Sequence, residues 1–178
     1  MKKSYAVVLG VVALAVGVLA AVAQQQRASP HDRVSIQLAG GKKLTIEYGR
    51  PYMKGRKIMG GLVPYGQVWR TGADEATTLT TEADLDIQGL SVLAGSYALF
   101  TVPSEKGWKL IVNKVAKQWG AFKYDESQDL GRVDMEVTRT ASPVEQFTIT
   151  LMPAGGNKAI LKMEWENTSA AVPIAAKP

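Results

Sequence analysis

Apolar and polar residues alternate at every second position in short segments spread along this chain, and that pattern limits the fold more than any other feature. In Lys43-Leu44-Thr45-Ile46-Glu47-Tyr48 the apolar side chains fall on one face of an extended backbone, as a half-buried strand requires. Residues 133–137, 147–151 and 161–165 repeat the pattern. Residues 96–102 are apolar on both faces and read as a central strand, followed through the hairpin-type connection 103–107 by a strand at 108–113. Segments 77–82 and 85–87 add further short strands, with Gly89 and Gly95 marking turns. No stretch carries a convincing amphipathic helical period, and residues 116–121 have room for one helical turn. Nine or ten short strands at such spacing predict an all-β, single-domain antiparallel β-sandwich built from meanders, with barrel-like closure as the alternative.

The ends of the chain are read separately. Lys2 and Lys3 precede an uncharged apolar run from Ala6 to Ala23, which closes on Ala21-Val22-Ala23 before Gln24-Gln25-Gln26. That is the layout of an export signal with a small-x-small cleavage site. At 18 residues the run is also just long enough to span a bilayer as an anchor, but its Ala/Gly richness and the cleavage site favour removal. The expected organisation is a signal peptide at 1–23, a polar leader at 24–33, a sandwich domain at 34–166 and a disordered Ala/Pro-rich tail at 167–178.

Removal of Lys2 and Lys3 leaves 19 basic and 16 acidic residues, a net charge near +3, too mild to imply nucleic acid. The remaining 155 residues are enough for one domain with a real core. With no cysteine, the core must hold the fold without disulfides. The expected location is the periplasm or the cell exterior, with no membrane span after signal cleavage.

Much chemistry is excluded by composition. Without Cys, thiol nucleophiles and thiolate metal sites cannot exist. His31, the single histidine, lies in the polar leader and is read as a solvated surface residue, so sites needing several His ligands cannot be built within one chain. Neither a nucleophile elbow nor a phosphate-cradling glycine loop before a helix is present. Asp125, Ser127, Asp129 and Glu136 have the spacing of a calcium loop, but Leu130 stands where the sharp turn demands Gly. No metal and no cofactor are expected. The carboxylate pair Asp74-Glu75 points to opposite faces if extended, which does not suit paired acid–base work.

Residues 48–78 stand apart from the strand pattern. They hold Arg50, Arg56, Arg70 and Trp69 among two prolines and six glycines, a long irregular loop inside a β-patterned chain. Arg50 keeps the parity of Leu44, Ile46 and Tyr48, so its side chain leaves on the core side at a rim, and Pro51 ends the ladder there. An inward guanidinium needs a partner, for which Asp74, Glu75 and Asp129 are candidates. Two readings follow. Arg50, Arg70 and Arg132 are structural ties between loop and sheet, or the arginines form a cationic pocket for a carboxylate- or phosphate-bearing ligand. Tyr52, Tyr65, Trp69, Trp119 and Tyr124 lie near these charges in sequence; Trp108 and Trp165 read as core, and Trp119 as a surface residue suited to a sugar ring.

Tyr48-Gly49-Arg50-Pro51, Lys54-Gly55-Arg56-Lys57-Ile58, Val63-Pro64-Tyr65-Gly66, Val68-Trp69-Arg70-Thr71-Gly72-Ala73 and Glu75-Ala76-Thr77-Thr78 occur in that order, followed by Ala94-Gly95-Ser96-Tyr97, Leu99-Phe100-Thr101-Val102-Pro103, Trp119-Gly120 and Tyr124-Asp125. This series resembles the bacterial exported family catalogued only as domain of unknown function 2911, over about residues 29–165. The resemblance implies an exported β-rich single domain and carries over no catalytic residue. Family members commonly have Ser where this chain has Gly49, which counts against hydroxyl chemistry at that position.

The sequence thus predicts a binding module for an anionic or carbohydrate cell-envelope ligand, or another small molecule. Arg50, Arg56, Arg70, Trp119, Tyr124, Asp129 and Arg132 are its candidate contacts. The alternatives are a hydrolase with Asp74 or Asp129 as base, and a purely structural envelope protein.

Overall fold

Residues 28–177 are described in the computed structural model; the expected signal peptide and residues 24–27 of the leader lie outside the described residues. Nine antiparallel strands make up the order: β1 (His31–Gln37), β2 (Lys43–Gly49), β3 (Thr77–Thr81), β4 (Leu85–Ile87), β5 (Leu90–Val92), β6 (Gly95–Pro103), β7 (Trp108–Asn113), β8 (Asp129–Pro153) and β9 (Lys158–Ala176). Short 3₁₀ turns occupy Ala39–Gly41 and Glu126–Gln128, and there is no helical turn at 116–121. Among the described residues no helix is long and apolar enough to cross a membrane.

The strands run in the order β1-β2-β3-β6-β7-β8-β9-β4-β5, and the sheet does not close into a barrel. It folds over because β8 and β9 each serve two neighbourhoods. The first part of β8, from Asp129 to Met135, pairs with β7, and the remainder from Glu136 pairs with β9. Register shifts between Arg139 and Thr148 let the long ribbon bend, since each extra residue leaves its partner unpaired and re-aims the strand. The fold-over brings Phe147 and Ile149 of β8 and Leu161, Met163 and Trp165 of β9 onto Leu44, Ile46 and Tyr48 of β2 in one continuous core. The segments at 133–137 and 147–151, which read as separate strands, are two stretches of β8.

Both ends of the domain differ from the sequence reading. Residues 31–33 of the leader begin β1, paired with β2 from His31↔Gly49 onward. The tail expected to be disordered is the second half of β9 up to Ala176. Its Ala170, Val172, Ile174 and Ala176 are buried in alternation, because even small side chains on period two fill the space over β4. Pro173 falls between the last β8 partner and the first β4 partner, where the missing N–H costs no ladder bond.

Trp108 and Trp165 are core residues, as their strand positions imply. They are joined by Trp69, which reaches in from the irregular segment. Its ring lies 6.1 Å from Trp108, 5.1 Å from Phe147 and 5.9 Å from Trp165. Edge-to-face and stacked contacts of this kind each add about 0.5–1.5 kcal/mol beyond area burial. That cluster pins the irregular segment to the core.

Candidate functional site

The segment between β2 and β3 is irregular but fixed. Pro51 has no N–H to continue the β2 ladder, and its carbonyl instead accepts the Phe147 N–H at 2.9 Å, while Met53 N–H donates to the Glu145 carbonyl at 2.8 Å. A tight turn follows at 57–63. Ile58, Met59 and Val63 are buried in it, and the backbone N–H groups of Ile58 and Met59 donate to the Glu166 carboxylate at 3.2 and 3.0 Å. Trp69 then exchanges both backbone hydrogen bonds with Thr101 of β6. At the return to β3, the Ala73 carbonyl lies where a Cβ on Gly49 would sit, 2.2 Å away, so this close approach needs glycine. Lys54, Thr71 and Asp74 all have left-handed φ values of 48°, 58° and 63°. For the β-branched Thr71 that is true backbone strain, of a kind that clusters at ligand clamps.

These turns enclose an open cavity of about 350 Å³. Its lining includes Trp69 and Trp165, Arg70, Lys54 and Arg56, and Asp74 together with Ala28 and Ser29, whose backbone N–H groups Asp74 accepts. Both indole N–H groups are committed elsewhere, that of Trp69 to the Gly72 carbonyl and that of Trp165 to the Glu145 carbonyl, so these two rings offer carbon.

Arg70 is the anomaly of this cavity. Its Nε is buried and has no hydrogen-bond partner among the described residues, and no carboxylate there is within ion-pairing distance. Burial pulls its pKa below the ordinary arginine value, with Asp74 opposing that shift. Asp74 is not free to swing over, because its two carboxylate oxygens accept the backbone N–H groups of Ala28 and Ser29, each at 3.2 Å. Arg56 also lines the cavity, its Nε and Nη2 donating to the Met53 and Tyr52 carbonyls at 2.9 and 2.7 Å. Those bonds tie its guanidinium to the backbone of its own segment.

The seven candidate residues do not share one hollow. Arg56 and Arg70 line the cavity just described. Arg50 is a tie. Its guanidinium donates to the Phe147 carbonyl at 3.1 Å, to Asp32 at 3.0 Å and to Thr148 Oγ1 at 2.9 Å. Its acidic partner is therefore Asp32 of β1 rather than Asp74, Glu75 or Asp129. Trp119 lines a different cavity of about 430 Å³ together with His31 and Glu75. There His31 Nε2 meets Glu75 at 2.9 Å, so the histidine is partnered rather than simply solvated.

Tyr124, Asp129 and Arg132 form a third, internally satisfied group. Tyr124 donates to Asp129 at 2.6 Å, Arg132 donates to Asp129 at 3.0 Å and to the Tyr124 oxygen at 2.7 Å, and Asn113 donates to the other Asp129 oxygen at 2.9 Å. Burial first, and the Asp129 hydrogen bond second, push the Tyr124 phenol up to about 12. Asp125 is occupied in capping Ser127 N–H at 2.9 Å. Among the described residues there is no group of three or more His, Asp or Glu side chains placed to hold a metal ion.

Lys54, Tyr52 and Leu62 also line this cavity and are not among the contacts that the sequence predicts. A signal for them exists in the charge pattern. Residues 49–73 contain five cations and no acid, whereas the rest of the chain has 16 basic and 16 acidic residues. All of the net charge resides in the segment that builds the cavity.

The family model described as protein of unknown function (DUF2911) matches residues 29–174, which takes in every strand but the last residues of β9. No curated protein and no solved structure matches the chain.

Proposed function

We propose a binding function for this chain, which belongs to the DUF2911 family. The protein captures an anionic ligand in the cavity between the 50–74 segment and the β8–β9 layer. The observation that carries this reading is the half-buried Arg70 guanidinium, left without a partner beside an open cavity. An unpaired buried charge costs several kcal/mol, and natural folds keep such a group where a partner arrives from outside. A guanidinium offers a planar fork to a carboxylate or phosphoryl group, and Arg56 and Lys54 add positive potential at the entrance.

The size and lining suit a small molecule or the end group of a larger one, with an anionic head on Arg70 and a less polar body over the indole floor. With the chain exported, as its first 23 residues predict, the ligand belongs to the cell envelope. A base role for Asp74 or Asp129 finds no support in the geometry, because the carboxylate oxygens of both are engaged in hydrogen bonds.

Calorimetric titration with inorganic phosphate, acetate and glycerol phosphate tests the reading. At least one of these anions binds, and Arg70→Met weakens it by about tenfold or more, the worth of a charged hydrogen bond. Absence of binding by all three, or binding that Arg70→Met leaves unchanged, removes the proposal.

A further inference from the structure

Around the Arg70 cavity, the irregular segment leaves large apolar side chains in water. The 57–63 turn buries Ile58, Met59 and Val63 but leaves Leu62 48% exposed, although it belongs to the same apolar run. Tyr52, which lines the cavity as Leu62 does, is 39% exposed, and Tyr65, on the same segment but outside the lining, is 38% exposed. The turn is not loose. Leu62 N–H donates to the Lys57 carbonyl at 3.1 Å, Gly60 N–H to the Val63 carbonyl at 2.9 Å, and Glu166 anchors its start. Leu62 is thus held out in water by a fixed backbone.

Charge accompanies this apolar rim. Lys54, Arg56 and Lys57 are exposed beside Tyr52 and Leu62, and Arg70 lies deeper in the hollow. Three of the acids near the segment accept backbone N–H groups. Asp74 accepts two leader amides, Glu145 accepts the Lys54 N–H, and Glu166 accepts two amides of the turn. Glu105 is near Tyr65. Exposed apolar side chains interleaved with fixed cations are the composition of a face that lies on an anionic lipid interface, where side chains enter the head-group layer and the cations meet phosphates.

We propose that this face docks on an anionic lipid surface, with a phosphoryl head group entering the cavity toward Arg70 and with Leu62, Tyr52 and Tyr65 seated among the head groups. The inference rests on the anion-binding reading of the same cavity and adds the source of the anion. The segment that holds this face carries five cations and no acid over residues 49–73.

Co-sedimentation of the purified protein with vesicles decides it. Vesicles of phosphatidylcholine containing phosphatidylglycerol bring the protein down, vesicles of phosphatidylcholine alone do not, and added salt weakens the binding. Tyr65→Ser, at an exposed residue that does not line the cavity, reduces vesicle binding by about tenfold while calorimetric binding of soluble glycerol phosphate is unchanged. Leu62→Ser moves vesicle binding in the same direction. Arg70→Met reduces both. Equal binding to the two vesicle types, or vesicle binding untouched by both Tyr65→Ser and Leu62→Ser, overturns the lipid inference and leaves the anion pocket standing if glycerol phosphate still binds. Binding of a soluble anionic polysaccharide with no vesicle binding also overturns it. Failure of every anion, soluble or lipid, removes both readings.

Discussion

The Tyr48 phenol oxygen accepts the Ile149 backbone N–H at 2.9 Å and faces that residue's own carbonyl at 3.4 Å, across 101 positions of chain. β2 and β8 are not sheet neighbours, so this contact fastens the fold-over directly. The same ring packs edge-on against Phe147 at 5.7 Å. Tyr48→Phe keeps the ring and orphans a buried N–H, which costs about 1–3 kcal/mol. Urea unfolding checks it: the midpoint falls with the slope unchanged. An unaltered midpoint means that water or a shifted backbone replaces the phenol.

Arg50 spans the same seam through its three hydrogen bonds to Phe147, Asp32 and Thr148. The pair with Asp32 is partly exposed, with side chains 26% and 40% accessible, so its charge adds little. The planar three-point fit is what a lysine cannot copy. Arg50→Lys therefore lowers stability by about 1–2 kcal/mol in chemical denaturation. It leaves phosphate affinity at the Arg70 cavity unchanged in calorimetry, which separates a tie from a ligand contact.

The Tyr124 network makes stability depend on alkaline pH. The fold raises the phenol from the ordinary 10.0 to about 12, by burial first and by its hydrogen bond to Asp129 second. A raised folded value means that the neutral phenol is favoured in the folded state. Its contribution is complete below pH 10 and is lost as pH rises toward 12. Tyr48 and Tyr65 are raised too, so the comparison with Tyr124→Phe is the readout. That variant loses the latest phenolate step in an ultraviolet titration and shows a shallower fall of unfolding free energy over the same window. A phenolate step that survives the substitution unchanged assigns it to another tyrosine.

How far the sequence carries can be judged residue by residue. Period-two alternation placed β2, which buries one apolar face, and continuous apolar runs placed β6 and β7, which are buried on both faces along most of their length. It missed the unity of β8, whose middle residues from Thr138 to Gln146 are exposed or half-buried and therefore have no apolar signal to follow. It misread the tail because Ala170 and Ala176 fill a shallow layer in which small side chains suffice, and alanine is not a strand signal. The parity argument correctly sent Arg50 inward, yet its partner Asp32 lay in what read as a leader. The meeting of Arg56 and Arg70 depends on the 57–63 turn and its anchor Glu166, more than a hundred positions away, and no local pattern encodes that contact.

Arg50 and Arg70 look alike in the sequence and behave oppositely in the fold, which gives the strongest single prediction. Every polar group on the Arg50 side chain is used, whereas Arg70 has a buried Nε without a partner and a pKa drawn down by desolvation. A half-buried charge with no counter-ion opposes folding, and an apolar side chain of similar length removes that opposition while keeping the packing. Arg70→Met therefore leaves the melting temperature unchanged or raises it by a few degrees. A purely structural Arg70 predicts the reverse, a melting temperature several degrees lower, because its removal would then break a tie. Differential scanning calorimetry separates the two, and the same sample titrated with glycerol phosphate shows whether the stability gained is binding lost. Residues kept for a ligand show that exchange; residues kept for the scaffold do not.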